Sequence, residues 1–89
     1  MDSETFARCV ENHDIPGIIV KRLFGVTERG QRYALVINQV VWLKIRLFYE
    51  GVDRVIVKEL SEHLTYKGAE KKLDEYRYRL ERSFSIANI

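Results

Sequence analysis

The chain is poor in the residues that usually announce a chemistry. It has one cysteine, one proline and five glycines in 89 residues. A lone Cys9 excludes an intrachain disulfide framework and fits a reducing, cytoplasmic setting. The glycines form no phosphate-cradling loop, and no serine sits on a nucleophile-elbow pattern, so no enzyme class is indicated. No long apolar run is present. The most hydrophobic stretch is interrupted by Asn38, Gln39, Lys44 and Arg46, each costly in hydrocarbon, which argues against a membrane span. The first residues include Asp2 and Glu4 and lack the apolar core of a secretory signal. Neither sign of charge dominates: 15 Lys and Arg face 13 Asp and Glu, a net charge of +2. That balance permits nucleic acid or an acidic protein surface as partner without requiring either.

What is present is a single globular domain's worth of apolar residues, 46% of the chain. A domain of this length buries roughly 60–65% of its unfolded surface, enough for a thin core. Residues 31–50 decide the fold. At period two, Val41, Leu43, Ile45, Leu47 and Tyr49 form one apolar face, with Val40, Trp42, Lys44, Arg46, Phe48 and Glu50 opposite. At period 3.6 an apolar arc also exists, but Lys44 falls in its middle. The strand reading over residues 40–49 is the better one. It predicts a buried Val41-Leu43-Ile45-Leu47 face and an Arg46 whose removal is nearly silent.

Around this strand, Ser3 is expected to cap a helix over residues 4–12, with Phe6, Cys9, Val10 and His13 on one face. Residues 14–17, containing Pro16 and Gly17, end it. Residues 18–26 are rich in strand formers. Thr27-Glu28-Arg29-Gly30 suits a hairpin turn, returning along residues 33–37. Glu50-Gly51-Val52-Asp53 turns again into a short edge strand over residues 54–57. Residues 58–64 read as a short helix. Residues 69–84 form the clearest helix, with Ala69, Leu73, Tyr76, Leu80 and Phe84 in one stripe. Ile86 and Ile89 can dock on the core. The expected fold is α+β: an antiparallel sheet of three to four strands, an N-terminal helix and a long C-terminal helix, with the helices on one face. The alternative is an all-α domain, in which Thr27 caps a long helix ended by Gly51.

Two segments carry that alternative. Residues 23–35 resemble the turn and recognition helix of a helix-turn-helix. The resemblance implies Gly25 in the tight turn, Val26 packed beneath it, Thr27 as cap, and Arg29, Gln31 and Arg32 facing DNA. Residues 57–64 resemble the first helix of such a motif.

Three constellations are candidates for function. On the last helix, Lys67, Lys71, Tyr78 and Arg82 project along one exposed strip, flanked by Arg79 and Lys72. An exposed aromatic among cations can stack on a base while the cations hold phosphates. A solvated face laced with ion pairs is the plainer explanation. Trp42, Phe48 and Tyr49 form a second candidate, an aromatic patch for a protein partner. Cys9 and His13 lie one turn apart, but with too few further ligands for a metal, so Cys9 is expected to pack in the core and His13 to be partly buried. No cofactor is implied. The expected function is a small nucleic-acid-binding regulator acting through the basic helix face. The alternative is a compact protein-binding inhibitor or adaptor of the kind phages encode. A homodimer would suit a thin core with a spare aromatic face.

Overall fold

The computed structural model describes residues 1–13, 17–82, 86 and 89. Its elements run α1 (Ser3–Glu11), β1 (Ile18–Val26), β2 (Arg32–Gln39), β3 (Leu43–Glu50), β4 (Val55–His63) and α2 (Tyr66–Arg82). The four strands form one antiparallel meander in the order β1-β2-β3-β4. The α+β expectation holds, and the all-α alternative does not. Residues 23–35, which resemble a helix-turn-helix, are strand, turn and strand. Gly30 takes a φ of +83° and donates its N–H to the Thr27 carbonyl at 2.9 Å. The Thr27 hydroxyl accepts from the Gln31 N–H at 3.1 Å. A residue with a Cβ is strained at that φ, so glycine defines the turn.

The helices lie on opposite faces of the sheet, not on one. Tyr33, Leu35 and Ile37 of β2 join Leu43, Ile45 and Leu47 of β3 against Ala69, Leu73, Tyr76 and Leu80 of α2. On the other face, Ala34, Val36 and Phe48 pack under Phe6 and Val10 of α1. This two-sided cover explains why β2 is buried continuously from Tyr33 to Asn38. A strand with helices on both faces loses the alternation of a one-sided sheet. Ile86 is buried on the α2 side, where Ile89 also packs. Phe84, expected on the α2 stripe, lies outside the described residues.

Several local expectations are corrected. Residues 58–64 are not a helix: residues 58–63 are the second half of β4, and Leu64 follows it in a bend. The β-branched run Val55-Ile56-Val57 starts the strand, and pairing with β3 carries it through polar residues with ordinary helix propensity. A bulge accommodates the odd count: Ile45 pairs with Ser61 and Arg46 with Glu59, which leaves Leu60 extra and packed on the α2-side core. Strand β3 begins at Leu43, so Val40, Val41 and Trp42 form the preceding turn, where Val40 donates to the Trp42 carbonyl. Val41 is therefore 71% exposed instead of buried. Asp2 is the cap of α1, its carboxylate accepting from the Thr5 N–H at 2.7 Å, and Ser3 is the first helical residue. That hydrogen bond holds the Asp2 carboxyl below its usual pKa. Helix α2 starts earlier than its apolar stripe suggests. The Thr65 hydroxyl accepts from the Gly68 N–H and the Thr65 carbonyl from the Ala69 N–H, an N-cap that places Lys67 on the helix.

Candidate interaction surfaces

The outer face of α2 carries Lys67, Lys71, Tyr78, Arg79 and Arg82, all exposed. Their side chains lie opposite the buried stripe, as the helical spacing predicts. Lys72 pairs with Glu75 at 3.0 Å and Arg77 with Glu81 at 3.2 Å. The acids thus engage cations outside the Lys67-Lys71-Arg79-Arg82 set. Arg82 lies over the Tyr78 ring, 4.1 Å from its centroid, a cation–π geometry that covers one face of the ring. Asp74 and Glu75 share a shallow depression with Lys71, Tyr78 and Arg79. The hydrogen bond and charge of Lys72, with the charges of Arg79 and Lys71, hold the Glu75 carboxyl below its usual pKa. Two carboxylates therefore temper the positive field here.

The other sequence candidates scatter. Arg29 sits in the β1–β2 turn. Arg32 does not face outward: its guanidinium donates to the Met1 carbonyl at 2.7 Å, to the Ser3 hydroxyl and to Glu50. It ties α1 to the sheet instead of offering itself to DNA. Phe48 is fully buried, with the His13 ring edge-on at 5.1 Å, so it cannot anchor a partner. Tyr49 packs against the α2-side core. Phe48 is covered on the α1 side of the sheet, and Tyr49 lies on the opposite, α2 side. Cys9 is exposed instead of packed, because α1 buries only the narrow stripe of Phe6 and Val10. Among the described residues no cluster of three His, Cys, Asp or Glu converges on a point.

Trp42 is half exposed and belongs to an apolar end of the molecule that sequence reading missed. Val40, Val41 and Trp42 form the β2–β3 turn. Ile18 pairs with Gln39, which sets it beside Val40. Leu43 pairs with His63, which brings Leu64 beside Trp42. A small hollow is lined by Trp42, Glu62, His63 and Leu64. Val41, Ile18 and Leu64 are each more than 70% exposed. Gly17, at φ +96°, lets the chain pass over this end, since a Cβ there would fall 2.2 Å from the Gln39 carbonyl oxygen. The signal was available: Val-Val-Trp directly after the polar Asn-Gln pair can be a turn as well as a strand start.

One pair has the spacing of a nucleophile and its base. Ser61 Oγ and His63 Nε2 are 2.8 Å apart on β4. No carboxylate hydrogen-bonded to the far ring nitrogen is present among the described residues, so the pair lacks the third member of a triad. No helix among the described residues is long and apolar enough to cross a membrane. The fold thus defines a small α+β domain, a four-stranded meander with one helix on each face. No protein-family model matches the chain, and no curated protein or solved structure is significantly similar to it.

Proposed function

We propose that this protein is a protein-binding adaptor or inhibitor, without catalytic activity of its own, and that the apolar end around Trp42 is its contact surface. The observation that carries this reading is the cluster of exposed Ile18, Val40, Val41, Trp42 and Leu64 at one end of the sheet. Single exposed apolar side chains are ordinary, but a contiguous group is costly in water and is typical of a surface that meets a partner. Tryptophan is enriched among residues that dominate binding energy. The Lys44–Glu62 ion pair supplies a polar rim beside the hollow. The near-neutral charge favours a protein surface over a polyanion.

The test uses Trp42 as the sole tryptophan. A partner captured by crosslinking to the wild-type chain is purified and titrated back. Its binding should shift the tryptophan emission to shorter wavelength. Trp42→Ala with Leu64→Ser should abolish binding while leaving the circular dichroism unchanged. Retained affinity in that variant refutes the assignment.

A second reading, nucleic-acid binding through α2, is supported by Lys67, Lys71, Arg79 and Arg82, which among the described residues stand outside that helix's ion pairs. Replacing Lys67, Lys71 and Arg82 with Glu should then abolish binding to a mixed DNA and RNA pool without unfolding the chain. Single Lys→Ala changes should reduce the salt slope by about one unit each. No affinity at low salt ends this reading.

A further inference from the structure

Strand β1 is an edge of the sheet, and among the described residues no strand pairs with its outer side. Half of the peptide groups along such an edge point away from the sheet, which makes it a template for an added strand. The usual protections are weak here. There is no proline in β1, and its one lysine, Lys21, lies on the α2 side and pairs with Glu70. A bulge at Val20 affects only the start of the strand. Toward its end, Arg22, Phe24 and Val26 face the α1 side, opposite Val36, Ala34 and Arg32 of β2. Phe24 and Val26 remain about half exposed.

Helix α1 does not cover these side chains. It leaves a cleft of about 360 Å³ between itself and β1, lined by Phe6, Ala7, Phe24, Val26 and Tyr33, with Ser3 and Arg32 on its wall. The Phe6 and Phe24 rings meet edge to face at 6.5 Å. Gly25 is required beside it, because a Cβ there would come within 2.4 Å of the Tyr33 hydroxyl. A groove between a helix and an open edge strand is the geometry in which an extended peptide adds to a sheet. Main-chain hydrogen bonds supply affinity there, and alternate side chains supply specificity. The charge on this face selects the occupant. Arg32 is engaged by Glu50. Arg22 is exposed and makes no salt bridge among the described residues.

We propose that the outer edge of β1 binds an extended segment of another protein as a fifth strand, with an apolar side chain in the α1–β1 cleft and an acidic side chain against Arg22. A second copy of the chain suits the edge less well. Centred antiparallel pairing of two β1 strands would set Arg22 against its own counterpart, and like charges directly opposite are destabilising. The cleft lies toward the Val26 end of β1, away from Trp42, so the proposal stands independently of the contact proposed above. Two such surfaces suit an adaptor.

The experiment pans the full-length chain against a random dodecapeptide display library. The selected peptides are titrated by fluorescence anisotropy and mapped by amide chemical shifts. The expected consensus places an acidic residue two positions from a large apolar one. Shifts should concentrate on β1 and the first turn of α1. Arg22→Glu should weaken binding by about tenfold or more, the loss of one charge pair, and exchange of the peptide's acid for lysine should restore it. Trp42→Ala should leave the affinity unchanged. Any of four outcomes overturns the proposal: no enrichment, a consensus without acids, shifts centred elsewhere, or light scattering that shows a dimer whose interface is β1.

Discussion

Arg46→Ala should destabilise the domain by about 2–4 kcal/mol, whereas sequence alone treats Arg46 as a solvent-facing residue of little consequence. Its side chain is only 11% exposed on the α1 side of β3, and it donates to the Asn38 side-chain carbonyl. Asn38 is fully buried. A hydrogen bond to a charged group contributes about 1.5–3 kcal/mol. The second contact, with Glu59 at 3.0 Å, is weaker in effect. Glu59 is two-thirds exposed, and such a pair contributes about 0–1 kcal/mol. The buried stem adds about 0.8 kcal/mol per methylene group removed from water. Arg46→Met keeps the stem and should recover part of the loss. Glu59→Ala should cost no more than about 1 kcal/mol. Lys44→Ala is the control, since among the described residues Lys44 pairs only with the exposed Glu62, at 3.5 Å. Urea denaturation reads each value from the midpoint at constant slope. The melting temperature of the Arg46→Ala variant should fall by roughly 10 °C or more for a domain this small. A loss below about 0.5 kcal/mol, equal to that of Lys44→Ala, would refute the argument that the Arg46–Asn38 hydrogen bond supports the fold.

Leu47→Ala should cost about 2–5 kcal/mol, because Leu47 is fully buried between sheet and α2. Val41→Ala should change stability by less than about 0.5 kcal/mol, and a large loss would place Val41 back in the core. Burial, reinforced by Glu81, pushes the Tyr33 phenol up to about 12. The folded state therefore holds this proton more tightly than the unfolded state, and the associated stability, complete below pH 10, is lost as pH rises toward 12. Ultraviolet titration beside pH-dependent melting checks this, and Tyr33→Phe should remove that part of the slope. Cys9 should react stoichiometrically with a thiol reagent in the native protein. Cys9→Ser should leave the melting temperature unchanged within error, and slow reaction limited by unfolding would show the thiol to be buried.

Where one local signal dominated, structure was legible in the residues. The stripe Ala69, Leu73, Tyr76 and Leu80 repeats at helical spacing with no competing pattern, and α2 follows it. Gly30 behind Thr27 specifies a hairpin by backbone freedom alone. The alternation of Leu43, Ile45 and Leu47 makes β3, and the exposed positions of Lys67, Lys71, Tyr78, Arg79 and Arg82 follow directly from the buried stripe on the same helix. Phe48 and Trp42 were not separable this way. Both occupy even positions of one apolar run, and only the placement of α1 on that face buries Phe48, while the turn carries Trp42 out.

Period and turn chemistry thus determined which segments could be strand or helix, because those properties reside within a few residues of each other. Three outcomes belonged to the tertiary structure. Residues 58–63 have the composition of a helix and became β4, since hydrogen bonding to β3 and the seating of Leu60 on α2 outweighed a small local preference. Arg46 became a structural residue only when the second sheet face closed around Asn38. The apolar end and the cleft beside β1 exist because elements distant in sequence were brought side by side, setting Ile18, Trp42 and Leu64 together at one end of the sheet and Phe6 of α1 against Phe24 of β1. No window along the chain contains those neighbours, so local pattern could not reveal them.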